Sequence, residues 1–449
     1  MKTIESSRQA YGLSTTITMI VGIVIGSGIF FKSDDILRAT GGNFKLGILV
    51  LIMGAMGIIF GSLTLSELAL RDSGSGGAVS YFNYTWGHSM GSGFGLFQTF
   101  VYYPSITVVI SWVAGIYTFM LLNINPSLEQ QMVLGIAYMV GFILLNTLSR
   151  IVGGYFQNAS TFIKLVPLFF IAIAGLVYKG SQPVIPEGVD IIEPTNVGFG
   201  WLTGLAPIAF SYDGWIIATS IAPEVKNPEK NMPRALVLAP IFILLCYVLY
   251  FTGIVKMMGE TFVLSMGDNT VDYISTMLLG EKGGALMMMI VIISVLGVVN
   301  GVIMGGIRMP QAMAEKGMIL PKSVGELHPK LQISIKSAFV YLLICIFWYG
   351  LHYITQKYGL LGGRDVSEIS IVFSYTSYIL LYWKILDLYK TGEIQNSFRG
   401  FISPILATVA AVLMVIGSLL SSPGYIGGFL ITCMIIFYIG YSADRKKNL

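Results

Sequence analysis

Three short stretches of the 449-residue sequence put polar or backbone-exposing residues inside apolar runs, where they are costly. The first is Gly26-Ser27-Gly28, in the middle of the run Val21–Phe30. The second is Phe210-Ser211-Tyr212-Asp213-Gly214, within the run from Leu205 to Trp215. The third is Lys164, set between Ile163 and Leu165 and remote from other charges. No other arrangement has the residue types for chemistry. His88, His328 and His352 are scattered, and no Ser–His or Cys–His pair or metal-ligand spacing occurs. Gly74–Gly77 is glycine-rich but lacks the Lys-Ser/Thr of a phosphate loop. The chain therefore reads as a non-enzyme with no cofactor and no metal, whose polar outliers bind or couple.

Glycine costs about 1 kcal/mol against alanine in a helix interior. Two glycines around a serine permit an unwound turn, and the N–H groups that start the next half-helix then need a partner. A helix N-terminus carries partial positive charge, so an anion suits it. The alternative is a small-residue packing face, since Gly22 and Gly26 are four apart. An Asp-Gly pair in an apolar run is likewise explained by a break. Gly214 allows the turn, and Asp213 either caps the second half-helix, faces a substrate ammonium, or carries a proton. Carbonyls around Phe210 and Ser211 are expected to accept from a cation. Paired interruptions in corresponding halves point to a transporter site. A ligand with a carboxylate at one break and an ammonium at the other is an α-amino acid.

A lysine at mid-depth of a span costs at least roughly 2.5 kcal/mol on insertion scales. Lys164 should therefore face the interior and have partners. It either stands in place of a bound cation, donating to carbonyls near Gly22 and to a group such as Ser294, or titrates as a proton carrier.

The elements that must position these residues follow from composition. The chain is 55% hydrophobic and 11% charged, with a mean hydropathy of +0.76, whereas soluble domains carry about 25% charged residues. That excludes a soluble fold, and the apolar runs are too long for barrel strands of about 10 residues. Twelve spans are expected near 12–31, 45–69, 92–122, 130–148, 156–178, 199–220, 235–257, 284–306, 336–354, 367–387, 402–421 and 424–441. With the N-terminus cytoplasmic, 18 Lys/Arg fall inside and 8 outside, Lys164 being the remaining one of 27. The positive-inside rule thus puts both termini in the cytoplasm of a multi-pass cell-membrane protein. The net charge of +4 is an orientation signal; no basic-aromatic patch suggests nucleic acid. The polar Met1–Ala10 start argues against a cleaved signal peptide. Cys246, Cys345 and Cys433 all fall in apolar segments and read as small buried hydrophobes. The Arg71–Met90 connection, with Tyr81, Phe82, Tyr84 and Trp86, is expected to hold a short interfacial helix.

Several motifs stand in order along the chain: Gly26-Ser-Gly-Ile-Phe, Ser66-Glu-Leu-Ala, Gly76-Gly with Tyr81, and Phe210-Ser-Tyr-Asp-Gly-Trp. They are followed by Glu224-Val-Lys-Asn-Pro-Glu-Lys-Asn-Met-Pro-Arg234, then Asn300-Gly and Arg308-Met-Pro. In these the chain resembles the amino acid/polyamine/organocation superfamily, and within it the L-amino-acid transporter family with its bacterial serine/threonine and alanine/serine/cysteine exchangers. The resemblance implies an all-α, twelve-helix fold of the LeuT type with discontinuous helices 1 and 6. Its 5+5 inverted repeat would span 1–180 and 190–390, with 400–449 outside it. It also implies one-for-one exchange of small or medium neutral L-amino acids by alternating access. Gly26, Ser27 and Gly28 would hold the carboxylate, with Ile23 and Ile25 nearby, and Phe210, Ser211 and Asp213 the ammonium. Phe210 would gate the site, and the span-five lysine, here Lys164, goes with sodium independence. The partners implied are the amino acid and the lipid bilayer; the oligomeric state is left open. The loop 123–129 lacks the cysteine through which animal members pair with a heavy subunit, so no disulfide-linked subunit is expected, as suits a stand-alone bacterial protein. A proton-coupled symporter of cationic amino acids or polyamines, and a transport-inactive amino acid receptor, are the alternatives.

Overall fold

A chain this apolar has no water for its backbone in a bilayer, so each spanning segment must satisfy its own N–H and C=O groups. The computed structural model describes residues 10–447 apart from 27, 31, 73, 206, 207, 209, 210, 362–364 and 422. Its long elements are all α-helices. Among the described residues nine are long and apolar enough to cross a membrane: Phe44–Arg71, His88–Leu121, Leu128–Leu148, Arg150–Val177, Pro228–Met258, Lys282–Glu315, Ile335–Lys357, Phe398–Leu420 and Gly424–Lys446. The chain is a multi-pass membrane protein. Its outer girdle, with Val133, Leu148, Phe162, Val166 and Phe347 exposed, is the surface that lipid covers.

Three expected spans differ from a plain long helix. The first is a short helix, Leu13–Val24, followed by Ser33–Ala39. In the sixth, the described residues include two 3-10 stretches, Gly198–Gly204 and Trp215–Glu224, with Leu205, Ile208 and Ser211 helical between them. The tenth, Glu368–Lys390, is 23 residues long but carries buried Ser370, Ser374, Tyr375 and Tyr378, which lower its hydropathy.

Boundaries follow local chemistry. Asn43 and Ser149 accept from Leu46 N–H and Val152 N–H, and Ser127 with Gln130 forms a capping box. Pro104 has no N–H for the Phe100 carbonyl, and the chain answers with a π turn over Gln98–Tyr102. The Trp348 indole N–H donates to that carbonyl at 2.6 Å. The connection after Arg71 does contain a short helix, Ala78–Trp86, with Tyr81 and Phe82 buried and Tyr84 and Trp86 exposed.

The Leu13–Val24 helix sits centrally, packed against Arg150–Val177, Pro228–Met258 and Glu281–Gly306. Two of these neighbours cross at Gly175 and Gly253 so closely that a Cβ on Gly175 would lie 2.0 Å from the Gly253 carbonyl oxygen. Only glycine allows that approach.

Candidate functional site

The first interruption runs longer than Gly26–Gly28. The Ile25 N–H still bonds the Val21 carbonyl, at 2.8 Å, but Ile25 is already extended and regular helix resumes only at Ser33. The second interruption is the turn at 212–214. Gly214 has φ +94°, a conformation that glycine adopts without strain. Gly214, not Asp213, occupies the N-cap of Trp215–Glu224, with no side-chain cap bond. The Asp213 carboxylate instead accepts from the Tyr102 hydroxyl at 2.7 Å. A buried carboxylate takes the strong hydroxyl donor that the π turn brings to it. The expectation of a cap is corrected accordingly.

The two interruptions touch. A Cβ on Gly28 would lie 3.3 Å from the Ser211 hydroxyl oxygen, and one on Gly214 would lie 2.5 Å from Cγ2 of Ile23. The Tyr247 hydroxyl spans them, 2.8 Å from the Ser211 carbonyl and 3.1 Å from that of Val24. Ser27 and Phe210, the other two residues expected here, lie outside the described residues.

Lys164 is fully buried. Its Nζ donates to the carbonyls of Gly22 at 2.7 Å, Ile25 at 2.7 Å and Ser294 at 3.1 Å. Three donors meet three acceptors, so the ammonium is saturated. The group supplied by Ser294 is its backbone carbonyl rather than its hydroxyl. The lysine's helix is pinned beside Glu281–Gly306 by Asn300, whose amide donates to the Gly153 carbonyl at 3.0 Å and to Gln157 Oε1 at 2.9 Å. Asn146 in turn donates to Asn300 at 2.9 Å.

A cavity of about 620 Å³ begins at this junction, lined by Ile23, Gly26, Gly28, Ser211, Asp213 and Gly214. That is within the size range of small-molecule sites. Its other end carries charge. Lys32 pairs with Asp35 at 2.6 Å and Arg38 with Asp34 at 3.5 Å, and Asp268 and Asp365 also line it. Burial and the nearby Asp35 carboxylate hold the Asp268 carboxyl above its usual range. Lys32, Asp35 and Arg38 are partly exposed, so this end is the mouth.

The opposite face is shut. Both Glu224 oxygens accept from the Arg308 guanidinium, and both side chains are about 5% exposed. Tyr11 N–H donates to the Glu224 carbonyl at 3.0 Å, Lys226 N–H to that of Tyr11 at 2.7 Å, and the Tyr11 hydroxyl to that of Arg150 at 2.8 Å. The feet of four segments are thus tied together.

Sequence reasoning passed over three of these features. Neither Tyr102 nor Tyr247 stands out in the sequence. The one signal for either was a tyrosine inside an apolar run. Glu224 and Arg308 stood in quoted motifs, but nothing in the sequence paired them.

Residues 11–441 match the family described as amino acid permease. The chain belongs to the amino acid permease family. It is similar to the serine/threonine exchanger SteT of Bacillus subtilis, at 27% identity over 92% of this chain and 91% of that one. It is also similar to the mouse b(0,+)-type amino acid transporter 1, at 24% identity over 97% of this chain and 88% of that one. The human cystine/glutamate transporter matches at 25% identity over 96% of this chain and 85% of that one. The ordered motifs of the sequence lead to the same family.

Proposed function

We propose that the chain exchanges small or medium neutral L-amino acids across the cell membrane by alternating access, without sodium. The observation that carries this reading is the contact between two helix interruptions at the floor of a one-ended cavity. Backbone around Gly26 and Gly28 is suited to a carboxylate, and the Ser211–Asp213 side to an ammonium. The relative from Bacillus subtilis is a serine/threonine exchanger. The saturated Lys164 ammonium supports sodium independence, because it fills with fixed charge the place where carbonyls of two helices converge.

In this reading the mouth faces outside, since the positive-inside rule assigns the Arg150, Lys226 and Arg308 face to the cytoplasm. The described state is outward-open, with the Glu224–Arg308 pair as the inner seal. The twelve-span 5+5 repeat, with both termini in the cytoplasm, belongs to the same proposal. So does function without a disulfide-linked subunit.

The test is uptake of labelled amino acid by the purified protein in liposomes. Uptake should require unlabelled amino acid inside. Equal uptake into empty liposomes would refute exchange.

A further inference from the structure

Between its polar floor and charged mouth, the cavity wall is mostly aliphatic, with Tyr117 as its one aromatic side chain among the described lining residues. Ile106, Val109 and Ile110 occupy one face of the helix Tyr103–Leu121, at spacings of three and four residues. Val295, Val298 and Val302 occupy one face of Glu281–Gly306. These two helices pack against each other, so the stripes form adjoining walls. None of the six side chains offers a hydrogen bond. Of the charges at the mouth, Lys32 is paired with Asp35 and Arg38 with Asp34, which leaves the carboxylates of Asp268 and Asp365 outside these two pairs. On the floor, Oδ2 of Asp213 has Tyr102 as donor, while Oδ1 is left for the ligand's ammonium.

Val298 stands nearest the interrupted backbone. Its Cγ2 lies 3.1 Å from where a Cβ on Gly26 would be, tighter than ordinary contact. A ligand whose carboxylate is held at Gly26 and Gly28 therefore projects its first side-chain carbons toward Val298. A hydroxyl or charge there would find no partner among the six aliphatic side chains. Added methylenes are rewarded by apolar contact, and a hydrophobic pocket discriminates by roughly tenfold or more per methylene.

We infer that the transported substrates are amino acids with branched aliphatic side chains, and that Val298 sets the size and polarity of the side-chain subsite. This rests on the transport reading above and narrows it, away from the hydroxyl amino acids named for the relative from Bacillus subtilis.

The experiment is counterflow in liposomes of the full-length protein, loaded in parallel with valine, leucine, serine, threonine, arginine or glutamate. Wild type should exchange valine and leucine about tenfold better than serine. Val298→Ala should raise the leucine-to-valine ratio several-fold, and Val298→Thr should raise the threonine-to-valine ratio. Ratios within one preparation do not depend on how much of a variant folds. Serine or arginine exchanged as well as valine by wild type, or ratios unmoved in both variants, would overturn the inference while leaving transport intact. No exchange of any amino acid would overturn the transport reading itself.

Discussion

An ammonium that spends all three protons on backbone carbonyls is a structural cation as well as a charge. Removing it leaves the carbonyls of Gly22, Ile25 and Ser294 facing one another. An unsatisfied buried acceptor costs about 1–3 kcal/mol. Lys164→Ala is expected to lower exchange at least about tenfold at equal protein amount, measured as initial counterflow. Lys164→Arg should not rescue it, since a planar guanidinium cannot direct its donors as a compact ammonium does. Tyr102→Phe removes the donor to Asp213. A hydrogen bond to a charged group is worth about 1.5–3 kcal/mol, so apparent substrate affinity should fall by about tenfold or more, read from half-saturation of exchange. Lys164 was legible in the sequence because a lone cation in an apolar run has few explanations. Tyr102 and Tyr247 were not, because a tyrosine is apolar enough to pass as core, and its partner is set by packing between distant segments.

At the scale of elements, the interruptions and the inner seal carry the account. Gly214 combines a positive φ with a 2.5 Å approach of Ile23 to any Cβ. Gly214→Ala should reduce folded yield and abolish exchange, checked by size-exclusion profile and counterflow together. Glu224→Gln leaves Arg308 buried without a counter-charge, and breaking such a pair costs about 3–5 kcal/mol. It should bias the protein toward the inward-open state. A cysteine at Val109, which lines the cavity, should then be labelled more slowly from the mouth side than in the wild-type background; equal labelling would remove Glu224–Arg308 as a seal. The positions of both breaks were readable from glycine and aspartate in apolar runs. The length of the first was not, because Ile29 and Phe30 look helical locally while tertiary contacts keep residues 28–30 in a turn. The Asp213 cap failed for a related reason: a cap is local, but the carboxylate found a better donor on another helix.

For the whole molecule, composition alone called for a helical membrane protein, and long apolar helices follow from the absence of water for the backbone. The cavity open to one face and tied shut at the other belongs to no single stretch of sequence. It arises from how Tyr11, Arg150, Glu224 and Arg308 meet at one end while Lys32, Asp35 and Asp268 line the other. In the proposed alternating access, the seal would break as the mouth closes around a substrate seated at the two interruptions. The central proposal is that this seat takes an amino acid without sodium, the Lys164 ammonium standing where a cation would bind. Equilibrium binding of labelled leucine to the purified protein, in choline buffer and again with sodium chloride, tests it most directly. The expected result is saturable binding of equal affinity in both, lost in Gly28→Val, whose side chain would press on Ser211. Binding that appears only with sodium, or that survives in Gly28→Val unchanged, would contradict it.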